Sequence, residues 1–253
     1  MKNIIKKLAQ SSGYDIRKKG SFESPPEFPS DFTENDIEII KKVKPFTLTS
    51  NERINSLLQA TKYVVDNNIP GDIIECGVWR GGSMMAVALK LLNEKKSEKD
   101  LYLFDTYEGM SKPTDLDVSL EGEIANNQFE ENKKSEDSSD WCLAALEEVK
   151  QNITKTGYDL EKIHFIKGKV EDTLPKYAPK QIALLRLDTD WYESTKHELI
   201  HLFPLLVTGG VLILDDYGYW AGAKKAVDEY FSKNKIQILL NRIDQTGRIA
   251  IKI

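Results

Sequence analysis

The sequence predicts an α/β protein whose mostly parallel β-sheet is covered by helices on both faces. From Pro70-Gly71 onward, short aliphatic runs alternate with helical stretches in the order that βαβ units require. Five of these runs are continuously apolar, which is typical of parallel strands that are buried on both faces. The last two runs are separated only by residues 242–246, too few for a helical crossover, so we expect them to form an antiparallel hairpin.

Each strand can be assigned to a short segment. Five parallel strands closed by an antiparallel hairpin form the Rossmann-like topology of class I methyltransferases, and this is the fold that we expect. The strands are predicted at residues 72–78, 100–106, 162–168, 182–188, 210–216, 235–241 and 247–253.

Residues 1–68 precede the sheet and differ from it in composition. Residues 1–30 mix lysine, serine and the proline-rich SPPEFPS, so we expect a surface arm, and helical patterns follow at 33–43 and 50–68 as a lid. The domain of the sheet is then predicted at 69–253. Within it, the polar insertion at about 107–140 is either a mobile cover of the active site or a merely solvated connection.

The composition excludes several classes of protein. The chain has 253 residues, with 35 basic and 40 acidic side chains and a net charge of -5, which disfavours a nucleic-acid partner. No segment has the roughly 20 apolar residues that cross a bilayer. Cys76 and Cys142 lie in different contexts and do not indicate a disulfide framework. We therefore expect a cytoplasmic protein without a membrane partner.

The loop after the first strand is a candidate cofactor site. Glycines in residues 75–82 allow a sharp turn before an apolar helix, whose free N–H groups would favour the carboxylate of a cofactor. Asp105 ends the second strand, where an acid can bind ribose hydroxyls or cap a helix. Gly168 and Asp172 follow the third strand and could contact an adenine ring, although Asp172 could equally be a helix cap.

Two pairs of aspartates follow neighbouring strands. Asp188 and Asp190 come after the fourth strand, and Asp215 and Asp216 after the fifth, so the four carboxylates should converge at one edge of the sheet. Their repulsion would be relieved by a cation, and ligation by oxygen alone suits Mg²⁺. Coordination to the ion would lower the pKa of a substrate hydroxyl, and a neighbouring carboxylate could then remove its proton. The alternative is that these residues are helix caps and turn formers.

The segment from His197 to His201 has the H-E-x-x-H spacing of zinc peptidases. A helix over residues 192–203 would bury Leu199 and its apolar neighbours against the sheet and turn both histidines toward solvent. A zinc peptidase needs the histidines in a cleft with a third ligand. We therefore favour a solvated helix face over a zinc site.

The segments GDIIECGVWRGG, RLDTDWYEST and LDDY together resemble the macrocin O-methyltransferase family, whose members use Mg²⁺ to methylate sugar hydroxyls of antibiotics. The resemblance covers roughly residues 49–231. It implies that Asp188, Asp215 and Asp216 bind the metal and that Asp190 is the general base. It also implies that the cofactor S-adenosylmethionine is bound by Asp105 and Asp188 and by the loop residues Glu75, Gly77, Trp79, Arg80, Gly81 and Gly82.

We accordingly expect a Mg²⁺-dependent O-methyltransferase that acts on a sugar hydroxyl of a glycosylated natural product or a surface glycan. Tyr217 or Trp191 could line the acceptor pocket. A nicotinamide-dependent oxidoreductase on the same type of sheet is one alternative. A catalytically silent scaffold, with the N-terminal arm as a subunit clasp, is another. Assembly into a homo-oligomer is also expected.

Overall fold

A computed structural model describes residues 28–253. Contacts divide the chain into two units, residues 1–33 and residues 34–253. In the first unit, the Phe32 amide donates a hydrogen bond to the Pro29 carbonyl oxygen, and the rings of Phe28 and Phe32 lie 6.3 Å apart. Most of the N-terminal arm predicted at residues 1–30 lies outside the described residues.

The second unit contains a seven-stranded sheet. Its strands are β1 Asp72–Cys76, β2 Leu101–Asp105, β3 Ile163–Lys167, β4 Ile182–Leu187, β5 Leu206–Leu214, β6 Asn241–Arg242 and β7 Arg248–Ile251. Their order in the sheet is β3-β2-β1-β4-β5-β7-β6. The first five strands are mutually parallel, and β7 pairs antiparallel with both β5 and β6. This confirms the predicted class I methyltransferase topology with its C-terminal antiparallel hairpin.

Helices cover both faces of this sheet. They are α1 Glu34–Val43, α2 Asn51–Asp66, α3 Gly82–Asn93, α4 Ala125–Glu131, α5 Leu146–Thr154, α6 Val170–Thr173, α7 Tyr192–His201 and α8 Ala221–Lys233. On one face, α1 and α2 pack against α3, while on the other α6 and α8 pack against α7. Short 3₁₀ turns at Lys44–Phe46, Leu160–Lys162 and Phe203–Leu205 connect elements.

Alternation along the strands decides which side chains meet which helices. Ile74, Leu185 and Leu212 belong to the core cluster that also contains Leu199 of α7 and Val227 of α8. Side chains next to one another on a strand point to opposite faces of the sheet. The residues that alternate with these core residues along β1, β4 and β5 therefore face helices α1–α3. Two of those residues are charged, and they are described with the site below.

One predicted strand differs from the structure. A strand was expected at 235–241, but the structure has strand only at Asn241–Arg242, because β7 offers ladder partners only to those residues. Ile236 and Ile238 still pack on the core cluster, so the apolar alternation indicates burial but not pairing with a neighbouring strand.

The insertion at 107–140 contains the short helix α4 and isolated bridges, including Ser119 with Trp220. Within residues 28–253, no helix is long and apolar enough to span a membrane.

Candidate active site

The carboxyl ends of the central strands lie level with one another. Cys76 of β1 is in register with Phe104 of β2 and with Leu187 of β4, and Leu187 is in register with Leu214 of β5. The residues that follow these positions therefore meet at one edge of the sheet. This brings together Gly77, Asp105, Asp188 and Asp215.

A cavity of about 490 Å³ opens at this edge. It lies between the strand ends, the start of α2 and the insertion. Its lining includes the predicted cofactor residues Gly77, Trp79, Asp105 and Asp188 and the predicted base Asp190. Unpredicted members include Thr49, Arg53, Met110, Trp141, Cys142, Tyr219 and Trp220.

Gly77 must be glycine because of its close packing. Its φ is +84°, and a Cβ at this position would lie 1.8 Å from the Asp188 carbonyl oxygen. A side chain therefore cannot be accommodated without moving β4. The absence of a Cβ lets the loop after β1 pass directly over the end of β4, which forms the floor of the cavity.

Asp105 organises the same loop. One carboxylate oxygen accepts hydrogen bonds from the Val78 and Trp79 amides at 2.7 and 3.0 Å, and the other accepts from the Tyr107 amide at 2.6 Å. Burial raises the pKa of Asp105, and these backbone hydrogen bonds oppose the rise. Asp105 therefore holds the loop together and borders the cavity, and it does not cap a helix, since the N-cap of α3 is Gly81.

The other residues predicted from the loop lie around the cavity without lining it. Glu75 is fully buried beneath it. Arg80 forms an ion pair with Glu148 at 2.6 Å and donates a hydrogen bond to the Pro45 carbonyl oxygen. Gly81, with φ +89°, is the N-cap of α3. Gly82 lies so close to Phe46 that a Cβ would be 2.6 Å from its carbonyl oxygen.

A smaller cavity of about 70 Å³ adjoins the first and shares Gly77, Asp105 and Asp188 with it. Gly168 borders this cavity at the end of β3. Asp172 is exposed in α6 and is not among the lining residues, whereas its neighbour Glu171 is. Glu171 and Asp172 lie in the same turn after β3, so the sequence alone could not show which of the two borders the cavity.

Three of the aspartates form a compact group. Asp188, Asp215 and Asp216 each offer one oxygen, and these oxygens lie within 4.8 Å of one another. The Asp216 Oδ2 atom is buried and has no hydrogen-bond partner. Within residues 28–253, this is the one group of three or more acidic, histidine or cysteine side chains arranged to hold a metal. Its all-oxygen donor set fits a hard divalent cation.

Two arginines, which the sequence reasoning missed, lie against these acids. Arg186 points from β4 toward the α1–α3 face, and its guanidinium contacts Glu75 at 2.5 Å, Asp188 at 2.7 Å and Asp215 at 2.6 Å. Arg53 of α2 binds the other oxygen of Asp215. Repulsion among the carboxylates is therefore partly relieved by protein cations. Arg186, in the apolar run ALLRL, was the available signal because an unpaired arginine would not be buried there.

Asp190 lies beside this group in a tight turn. Its φ is +65°, a conformation that asparagine and aspartate adopt more readily than most residues. The Trp220 indole donates a hydrogen bond to its Oδ1 at 2.8 Å. Burial, followed by the charge of Asp188, raises the pKa of Asp190 to about 7, against hydrogen bonds from Asp216 and Trp220.

The aromatic residues proposed for the acceptor pocket do not line it. Trp191 is 2% exposed and donates its indole hydrogen bond to the Ser111 carbonyl oxygen, so it is a core residue. Tyr217 hydrogen-bonds Asp228 and packs on the core cluster under α8. Trp141, Tyr219 and Trp220 line the cavity in their place.

The helix with the His-Glu-x-x-His spacing does not form a metal site. Leu199 and Leu202 are buried as predicted, and both histidines are half-buried, with ring centroids 4.3 Å apart. No third ligand joins them among residues 28–253. Glu198 is instead fully buried on the inner side of the helix. A solvated face accounts for the histidines better than a zinc site does.

Comparisons with known proteins agree with this architecture. A family model described as Macrocin-O-methyltransferase (TylF) matches residues 38–250. The chain is 32% identical over 203 residues to Demethyldecarbamoylnovobiocin O-methyltransferase from Streptomyces niveus, covering 79% of this chain and 73% of that protein. It is 30% identical to 8-demethyl-8-(2,3-dimethoxy-alpha-L-rhamnosyl)-tetracenomycin-C 4'-O-methyltransferase from Streptomyces olivaceus, covering 79% and 73% respectively.

A solved structure is similar as well. The O-methyltransferase NovP superposes with a TM-score of 0.70 at 29% sequence identity, and the match covers 82% of each chain. The sequence comparisons and this structural comparison thus agree on an O-methyltransferase.

Proposed function

The chain belongs to the macrocin O-methyltransferase family and is an S-adenosylmethionine-dependent O-methyltransferase, and we propose that its acceptor is a sugar hydroxyl of a glycosylated antibiotic. The observation that carries the proposal is the group Asp188, Asp215 and Asp216 beside Asp190 in one cavity. The relatives support the acceptor class, since one of them is named for methylating a rhamnosyl group. Family membership disfavours the nicotinamide-dependent oxidoreductase and the silent scaffold.

We propose Asp188, Asp215 and Asp216 as ligands of Mg²⁺. The buried Asp216 Oδ2 without a partner supports this, because an orphaned carboxylate oxygen costs free energy unless something binds it. The ion would supply a Lewis acid for the acceptor oxygen, and the sulfonium donor would supply the methyl group. Both oxygens of Asp215 already accept from arginines, so its ligation would use remaining lone pairs.

We propose that Asp190 takes the proton from the acceptor hydroxyl as the oxygen–methyl bond forms and the sulfur–methyl bond breaks. The Trp220 indole donates to Asp190 Oδ1 and would orient the carboxyl group toward the acceptor. Trp141 and Tyr219, which line the cavity, would cover the faces of a sugar ring. Gly77, Trp79 and Asp105 would contact the donor, and Gly168 in the smaller cavity would border its adenine.

Calorimetry with S-adenosylhomocysteine, followed by Mg²⁺, tests the binding steps. We expect heat in both titrations, and no heat in the first would contradict the cofactor assignment. Transfer of a radiolabelled methyl group to a panel of glycosylated antibiotics and free aglycones then tests the acceptor class. Methylation of the aglycones alone would contradict a sugar acceptor.

Asp190→Asn separates the base from the binding residues. It should keep its affinity for S-adenosylhomocysteine while methyl transfer falls about 10²- to 10⁴-fold, the usual contribution of a general base. Asp228→Asn is a matched control, since Asp228 is a half-exposed partner of Lys224 on α8 and does not line the cavity. Full activity of Asp190→Asn would remove this residue as the base.

A further inference from the structure

Glu198 is the buried member of the His-Glu-x-x-His segment, and the proposed chemistry does not use it. Its side chain has 0% exposure, whereas the histidines on either side of it are half-buried. It points from α7 into the core beneath the carboxyl end of β1, where the charge of Glu198 contributes to raising the pKa of the Cys76 thiol, after burial. A carboxyl group at such a position requires a reason.

The carboxyl group makes one side-chain hydrogen bond to the site. Its Oε1 atom lies 2.9 Å from the Thr189 hydroxyl, and its Oε2 atom is buried without a hydrogen-bond partner. Burial raises the pKa of Glu198 well above that of an ordinary glutamate.

Thr189 is the residue between a proposed metal ligand and the proposed base. Its carbonyl oxygen accepts hydrogen bonds from the Trp191 amide at 2.7 Å and from the Ser194 hydroxyl at 3.3 Å. With Asp190 at φ +65°, the chain turns sharply after β4. Orienting the Thr189 side chain therefore orients the backbone that carries both Asp188 and Asp190.

A purely structural role does not explain a carboxyl group at residue 198. Leucine or methionine would fill the same core volume without an orphaned oxygen, and leaving a buried polar atom unpaired costs about 1–3 kcal/mol. Polar groups retained at such a cost are concentrated where they position functional side chains. The direct contact of Glu198 with the turn between Asp188 and Asp190 identifies the groups that it would position.

We propose that Glu198 is a positioning residue that holds Thr189, and through it the carboxylates of Asp188 and Asp190, in the arrangement that binds a divalent cation. The inference rests on the proposed function in one respect, the metal site at Asp188. It assigns Glu198 no contact with the cation, the donor or the acceptor.

Mn²⁺ is the probe, because free Mn²⁺ can be counted by its electron paramagnetic resonance signal without any acceptor. Affinity is measured with saturating S-adenosylhomocysteine for Glu198→Met and Thr189→Val. Each should bind Mn²⁺ about 10- to 100-fold more weakly than the unaltered protein, the usual loss when a residue that orients a metal ligand is removed. The double variant should bind no more weakly than the weaker single variant, because the two substitutions remove the same hydrogen bond.

Conservative variants and a control make this loss specific. Glu198→Gln and Thr189→Ser should retain Mn²⁺ affinity within about threefold, since each keeps the hydrogen-bonding atom. Glu193→Met lies on the same helix but is exposed and should bind like the unaltered protein. Thermal unfolding is followed in parallel, since a structural role would lower the melting temperature of Glu198→Met and leave the affinity of Thr189→Val unchanged.

Normal Mn²⁺ affinity in Thr189→Val, or additive losses in the double variant, would overturn the proposal. If Glu198→Met does not fold, the comparison of Thr189→Val with Thr189→Ser still decides the outcome, because Thr189 is only half-buried and both variants should fold. An unaltered protein that binds S-adenosylhomocysteine but not Mn²⁺ would instead refute the metal site itself and the inference with it. Intact Mn²⁺ binding in every variant, by contrast, would leave the metal site standing and refute only the positioning role of Glu198.

Discussion

A buried ion pair fixes α1 on α3, and breaking it should destabilise the whole unit. Lys90 contacts Asp36 at 2.8 Å, and their side chains are 4% and 0% exposed. The Gln59 amide donates to the other oxygen of Asp36 at 3.0 Å. Lys90→Met keeps the aliphatic stem and takes the ammonium group away from a buried carboxylate.

Removing one partner of a buried pair costs about 3–5 kcal/mol, because the remaining charge stays desolvated. For a domain of this size, 1 kcal/mol shifts the melting temperature by about 2–4 °C, so we expect Lys90→Met to melt roughly 6 to 20 °C lower. Differential scanning calorimetry measures this. Lys62→Met is the control, since Lys62 pairs with Asp66 at side-chain exposures of 42% and 51%, and losing such an exposed pair should leave the melting temperature almost unchanged.

Asp36→Asn in the Lys90→Met background distinguishes the mechanism. A neutral amide no longer needs the ammonium group and still accepts from Gln59, so the double variant should recover most of the lost stability. A double variant that melts as low as Lys90→Met would show that the loss came from packing. A fall of less than about 2 °C in Lys90→Met would refute the reasoning, since it corresponds to under 1 kcal/mol.

Further predictions concern a turn, a glycine and a lysine. Burial raises the pKa of Asp244, but hydrogen bonds from its own turn and from Ser50 lower it overall, so its stabilisation is complete above about pH 4 and is lost as the pH falls further. Acid denaturation should consequently be less steep in Asp244→Asn. Gly77→Ala, with its Cβ 1.8 Å from the Asp188 carbonyl oxygen, should abolish S-adenosylhomocysteine binding in calorimetry. Lys252 donates to three backbone carbonyl oxygens at and just before the start of β5, and Lys252→Met should lose about 1.5–3 kcal/mol in urea unfolding.

Sequence patterns were sufficient wherever the information is local or follows from the sheet. Apolar runs of the right length identify parallel strands, and parallel strands must end at a common edge, so Asp188 and Asp215 could be placed together without coordinates. The lone proline-glycine pair before β1 and the short connection after Arg242 identified the start of the sheet and its hairpin. The alternation in residues 235–241 indicated burial correctly but not a ladder, because a ladder needs a neighbouring strand with free partners.

Contacts between distant elements were decided by tertiary structure alone. The guanidinium of Arg186 meets Glu75, 111 positions away in the chain, and nothing in either strand specifies the other as its partner. In the same way, a two-histidine spacing drew attention to α7, yet the packing of that helix buries Glu198 instead and brings it to Thr189. Periodicity determines which face of an element is apolar, but the charges that end up beneath a site depend on how the elements are stacked and on the low dielectric between them.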